Sequence, residues 1–191
     1  LITVGPAQCA NGRTSVTLTQ GQFSNDLRAE TSAKALVWHV PVRAQIVGGQ
    51  QAQVVTSGPS SQLQVAGCGP LLINAGQKGY FRTLYEPQQA QALQAAFASL
   101  NPVDQYGLLT DNLALAQAGY QPMATGLGFL GAINSDANPK IVQQAVVTVS
   151  NRSREQRAVS PLPGAPMPRV YEAPNLFLAV MTAIRGEDLD R

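Results

Sequence analysis

The chain has 191 residues, 45% of them apolar, enough to bury a sizeable core in one large domain or two small ones. Charged residues make up only 13%, against about 25% in ordinary globular chains, which suggests that much of the surface faces other protein. The net charge of +2, with no basic run interleaved with aromatics, excludes a nucleic-acid binder, and no apolar run reaches the ~18 residues of a membrane span.

The chain opens on "LITV", with no initiator Met and no signal-peptide pattern, and reads as a fragment or processed piece. Residues 1–86 carry strand signals. In "TSVTLTQ", Val16 and Leu18 share one face and Thr17 and Thr19 the other. "LVWHVPVRAQIV" places Leu36, Trp38, Val40, Val42, Ala44 and Ile46 on one parity, predicting one long half-buried strand. Pro41 cannot donate to a ladder and marks an edge or a bulge there. "GGQ" turns the chain into "AQVVT", and "QLQVA", "LLINA" and "GYFRTLY" follow as further short strands. The spacing predicts an antiparallel, immunoglobulin-like β-sandwich.

The period changes at Pro87. "PQQAQALQAAFASL" is rich in helix formers, with Leu93, Phe97 and Leu100 on one face. Asn101 is a good N-cap, Pro102 suits the first helical position and Asp104 complements the positive end of the helix. Tyr106, Leu109, Leu113 and Ala116 would be the buried face, and Gly119 the stop. "QPMATGLGFLGAI" and "NPKIVQQAVVTV" begin two more helices. Helix pairs of this kind predict an α-solenoid-like arrangement over 87–147. The stretch 148–191 is Pro/Arg-rich and predicts an extended or disordered tail, with one short helix at 175–184.

Catalytic chemistry is scarce. His39, the one histidine, sits alone on the polar face of a strand, so neither a zinc site nor a Ser-His-Asp arrangement assembles around it. Asp104 and Asp111 are about two helical turns apart on one face, but a helix-start role for Asp104 and a solvated position for Asp111 explain them better than paired-carboxylate catalysis. "GLGFLG" reads as tight helix packing, and no phosphate-loop motif is present. Cys9 and Cys68 lie in turn-like contexts without CxxC spacing; they are either two unrelated thiols or one disulfide, the latter implying an oxidising compartment, periplasmic or secreted.

"NAGQKGYFRTLYE" (74–86) resembles the last sandwich strand of the zinc aminopeptidases related to aminopeptidase N and leukotriene A4 hydrolase. Asn74, Gly79, Tyr80, Arg82 and Tyr85 match that family's pattern, with Phe81 in place of a second Tyr. "VTLTQGQF" (16–23), "WHVPV" with Trp38 and Pro41, and "DQYGLLTDNLALAQAG" with Asp104 and Asp111 resemble further family segments in the expected order. Gln105 stands where the family usually has Arg, and the tail beyond about 147 departs from it. The resemblance covers 1–147. It implies a sandwich spacer followed by the start of a helical domain that covers the cleft of a catalytic domain. In the family that domain carries HExxH, zinc and an amine-gripping Gly-x-Met-Glu-Asn loop; none of these lies in this chain. The implied parent removes N-terminal residues from peptides; the implied partners are its catalytic domain and its peptide substrates; this part carries no cofactor. Arg82 would serve packing and hydrogen bonding at the joint between domains. The alternative from the residues alone is a non-enzymatic sandwich-plus-helix binding module.

Overall fold

A computed structural model describes residues 1–25 and 36–158, with the side chains of 149 and 151–158 set aside. It divides into two units, 1–132 and 133–191. Among the described residues of the first, eight strands precede three helices: β1 (Ile2–Val4), β2 (Gln8–Ala10), β3 (Arg13–Gln20), β4 (Val40–Ile46), β5 (Gln51–Thr56), β6 (Ser60–Ala66), β7 (Leu71–Ile73), β8 (Thr83–Tyr85), α1 (Pro87–Ala95), α2 (Pro102–Gln117) and α3 (Met123–Gly131). A short 3-10 turn, Phe97–Ser99, links α1 to α2.

The strands form two sheets. In the larger, β3 pairs along one edge with β6 and along the other with β2 and then β1, and β1 continues to β8 in parallel. The smaller has the order β5-β4-β7, all antiparallel. Alternation decides which face is buried. Ile2, Val4, Val16, Leu18, Leu63 and Val65 turn inward from the larger sheet, and Val42, Ala44, Ile46, Leu71 and Ile73 from the smaller. Val16 and Leu18 are buried on the side the alternation predicts. A β part followed by an α part is therefore the architecture, as expected.

The long strand predicted from Leu36 is shorter than its alternation. Pairing with β5 begins at Val40, and Leu36, Val37 and Trp38 are exposed. The backbone of Trp38 is held by a side chain instead of a neighbouring strand: its N–H donates to Gln20 Oε1 at 2.8 Å, and Gln20 Nε2 donates to its carbonyl at 3.0 Å. Pro41 faces Val55 of β5, while β7 reaches only Ala44–Ile46, so among the described residues no strand pairs with the other side of β4 where the proline sits. The strand read over "GYFRTLY" is likewise cut to Thr83–Tyr85, because Asn74 and Gln77, at φ 62° and 51°, curl the preceding residues into a loop.

Helix α2 starts as its sequence dictates. Asn101 Oδ1 accepts from the Asp104 N–H at 3.0 Å, Pro102 follows, and Gly119 at φ 89° ends the last turn. Leu109, Leu113 and Ala116 are buried, but Tyr106 is 42% exposed, so it leaves the predicted buried face. Its place is taken by Leu108, Asn112 and Leu115, which turn the apolar stripe toward α3 and the sheets. Gly126 of α3 permits the close approach of the two helices: a β-carbon there would lie 3.0 Å from the Asn112 carbonyl oxygen and 3.1 Å from Ala116 Cβ. Phe97 and Phe129 meet edge to face at 6.0 Å between centroids in the helical core.

The second unit contains α4 (Pro139–Ala158), whose start is marked by Asn138 Oδ1 accepting from the Lys140 N–H at 3.0 Å. Ile141 and Ala145 are buried and Val147 is exposed. The helix continues past 147 to Ala158, which corrects the extended or disordered reading over 148–158; the rest of that tail lies outside the described residues. Asn151–Arg157 is polar throughout, and with Ala158 it contains no Pro or Gly, so nothing in it breaks a helix already nucleated by 139–150. The short helix expected at 175–184 lies outside the described residues.

Candidate functional site

The polar side chains singled out in the sequence converge where the β part meets α2. Asn74 organises the loop that leaves β7. Its Nδ2 donates to the Gly79 carbonyl at 2.9 Å, its Oδ1 accepts from the Gly79 N–H at 2.7 Å, and its own carbonyl accepts from Gln77 N–H. A side chain on Gly79 would run into the Phe81 ring and lie 3.1 Å from Asn74 Oδ1, which is why the Asn and the Gly belong together. The loop then lies on α2. Gly76 N–H donates to Asp104 Oδ1 at 2.7 Å, and the space that a side chain would need at Gly107 is filled by the Gln77 amide. Asp104 is 1% exposed, and its second oxygen accepts from Asn101 Nδ2.

Seven residues along α2, Asp111 holds the far end of the same loop. Its Oδ1 accepts from Arg82 Nη1 and its Oδ2 from the Thr83 N–H, each at 3.0 Å. The Arg82 guanidinium also sits 4.9 Å from the centre of the Phe23 ring. Phe23 stacks on Tyr120 with centroids 5.6 Å apart, and the Tyr120 hydroxyl accepts from the Ser24 N–H. Tyr85 is buried, and its hydroxyl accepts from the Ile73 N–H at 2.8 Å, tying β8 to β7. Burial holds that phenol neutral. Gln105 reaches back to cap the Phe97 carbonyl at 2.8 Å, so the amide performs a local structural task.

Of the remaining candidates, Tyr80 is fully exposed outside any strand, and Trp38, Pro41 and His39 lie on exposed surface away from this joint. Cys9 of β2 and Cys68, ahead of β7, are joined in a disulfide. That bond is compatible with an extracellular setting. Phe23 and Tyr120 were not singled out in the sequence as partners of Arg82. Phe23 closes the quoted "VTLTQGQF" segment, but nothing local marks Tyr120 as its stacking partner.

Asp104 is occupied by the Gly76 N–H and the Asn101 amide, and Asp111 by the Thr83 N–H and the Arg82 guanidinium, with the Leu1 amine adding a further positive charge near Asp111. Among the described residues, no cluster of three or more His, Cys, Asp or Glu could hold a metal ion. No described helix is long and apolar enough to cross a membrane.

Asp111 makes the joint pH-dependent. Burial pushes its carboxyl up to about 6, while the Thr83 N–H and the Arg82 guanidinium pull the other way. A folded value above the unfolded ~4 means that protonated Asp111 favours the folded state, a contribution fully present below about pH 4 and lost as pH rises through about 6. In Arg82→Ala the buried carboxylate loses its cation. Urea unfolding should show little loss near pH 4.5 and a loss of about 1–2 kcal/mol near pH 8, the half-exposed guanidinium being partly screened. Equal losses at both pH values would mean that Arg82 acts only by packing on Phe23.

Residues 70–155 match the family model of the ERAP1-like C-terminal domain. The chain is also similar to the glutamyl aminopeptidase of Bitis rhinoceros, at 26% identity over 164 residues, covering 76% of this chain and 17% of that protein. Together these matches support assignment of the chain to the C-terminal region of the aminopeptidase N-type metallopeptidases, without the catalytic domain. The chain thus spans about a sixth of the length of the curated relative it matches.

Proposed function

We propose that this chain is the C-terminal, non-catalytic part of a zinc aminopeptidase that removes N-terminal residues from peptides. In this reading the β part is an immunoglobulin-like sandwich that acts as a spacer, and the helices begin an α-solenoid-like cover over the catalytic cleft that admits small peptides. The observation that carries it is the match over 70–155, which starts at the last strands, crosses the Asn74–Asp111 joint and runs through the helices. The joint supports a spacer-and-cover role because its bonds fix the direction in which α2 leaves the β part. Tyr80, Val103 and Tyr106 add support: they put large apolar groups on the surface beside that joint, where a further domain of the same chain would cover them. The zinc would belong to that domain. The disulfide suits a periplasmic or secreted parent.

The test has two arms. The coding sequence upstream of Leu1 should contain HExxH, and the longer protein should release the chromophore from aminoacyl-anilides. The 191-residue chain alone should release none and bind no stoichiometric zinc. An upstream reading frame without HExxH would sink the assignment, and activity in the short chain would sink the non-catalytic role.

A further inference from the structure

Asn11 and Gly12 form the only Asn-Gly pair in the sequence. They are the whole connection between β2 and β3: Ala10 pairs with Arg13, so the hairpin turns in two residues. Both have left-handed backbones, Asn11 at φ 52° and Gly12 at φ 69°, as a tight two-residue hairpin loop demands. Both are exposed, and a β-carbon added at Gly12 would meet nothing within 4 Å. Among the described residues, no hydrogen bond engages the Asn11 side chain or the Gly12 N–H. Other asparagines are placed differently. The Asn74 amide is held at both ends by Gly79, Asn112 is buried, and Asn101 and Asn138 precede prolines, which have no N–H.

We propose that Asn11 is a site of spontaneous covalent modification, in which the Gly12 backbone nitrogen attacks the Asn11 side-chain amide. The nitrogen gives up its proton to water or hydroxide, a bond forms from it to Cγ, the Cγ–Nδ2 bond breaks and ammonia leaves. Water then opens the cyclic imide at one of its two carbonyls. Opening at the side-chain carbonyl gives aspartate; opening at the main-chain carbonyl gives isoaspartate, with the chain running through the side chain. The balance is one water gained and one ammonia lost, and no oxidant or reductant is needed. Either product adds one negative charge to a chain of formal net charge +2. The isoaspartate also adds a methylene to the main chain of a loop whose length sets the pairing of β2 with β3. It thereby shifts the Gly12 carbonyl, which accepts from the Gly67 N–H at 2.7 Å. The Cys9–Cys68 bond and the Thr14 hydroxyl on the Gly67 carbonyl keep the segment attached, so the effect is a local loosening. This inference is independent of the aminopeptidase reading.

Incubation of the oxidised 191-residue chain in weakly alkaline buffer, with and without urea, tests it by peptide mapping. Isoaspartate is read by labelling with an isoaspartyl carboxyl methyltransferase and its methyl donor. Without urea, the peptide holding Asn11 should gain about 1 Da several-fold faster than any other asparagine peptide, and should carry the label. Asn11→Gly suits the left-handed turn and removes the reacting amide, so it should keep the native circular dichroism and lose the label. Hydrogen exchange at the Gly67 amide should speed up in the modified chain, while the β4 amides stay protected. An Asn11 that reacts only in urea overturns the proposal, as does a label that persists in Asn11→Gly. Exchange at Gly67 that is unchanged by the modification overturns the loosening.

Discussion

The Cys9→Ser/Cys68→Ser double variant is expected to unfold with about 4 kcal/mol less stability than the oxidised protein, lowering the thermal midpoint by roughly 10 °C. The bond closes a loop with a sequence separation of 59 residues, and removing that constraint enlarges the unfolded ensemble. The folded ends stay together without it: Thr14 Oγ1 donates to the Gly67 carbonyl at 2.7 Å, and Gly67 N–H donates to the Gly12 carbonyl at 2.7 Å. The loss should therefore come from the unfolded state, with native circular dichroism kept. Urea titration of the variant, and of the wild-type chain with dithiothreitol, should agree. A loss under about 1 kcal/mol would show that the ladder between β3 and β6 already supplies the constraint in the unfolded chain.

Asp104→Ala is expected to cost about 3 kcal/mol, the larger of the two single-residue effects at the joint. One carboxylate serves three groups: the Gly76 N–H, the Asn101 amide and, through Asn101, the first turn of α2. Alanine leaves the Gly76 donor facing a site where Asp104 was 1% exposed. Asp104→Asn separates the roles. An oxygen can still meet Gly76, but an amide NH2 then faces Asn101 Nδ2, and Asn101 cannot flip because its Oδ1 accepts from the residue 104 N–H. The Asn variant should lose about half as much as the Ala variant. Denaturant midpoints of both variants check this, and an Asn variant as weak as Ala would place the main cost in charge rather than in the Gly76 bond.

What could be read from the sequence was whatever local chemistry decides. The Asn101-Pro102 start of α2, its Gly119 stop and the alternation of Val16 and Leu18 are written in neighbouring residues. The joint was legible only as a set of residue types. Asn74, Gly79, Arg82, Asp104 and Asp111 were marked, but that Asp104 would take Gly76 and Asp111 would take Arg82 depends on how a loop with two left-handed non-glycine residues lies across a helix. The strand reading failed at Leu36–Trp38 because alternation cannot see that Gln20 supplies the pairing a neighbouring strand would otherwise give. Tyr106 failed because a helix with apolar residues on more than one side leaves its rotation open until α3 and the sheets are placed. Polar 151–158 looked like tail because periodicity fades there, yet helix propagation needs no apolar face.

The parallel pairing of β1 with β8 sets Ile2 against Thr83 and Val4 against Tyr85. This has a consequence for the order of assembly. Nearly the whole β part must be synthesised before the first strand meets one of its two neighbours, so the chain closes one of its long loops late. Helix α2 can nucleate locally from Asn101 and Pro102, and the 28 residues between Thr83 and Asp111 close a far shorter loop than the pairing of β8 with β1. The helical part is therefore fixed against the whole sheet only after this non-local pairing, and a ribosome-bound or truncated chain ending before Thr83 lacks the strand to which α2 is tied.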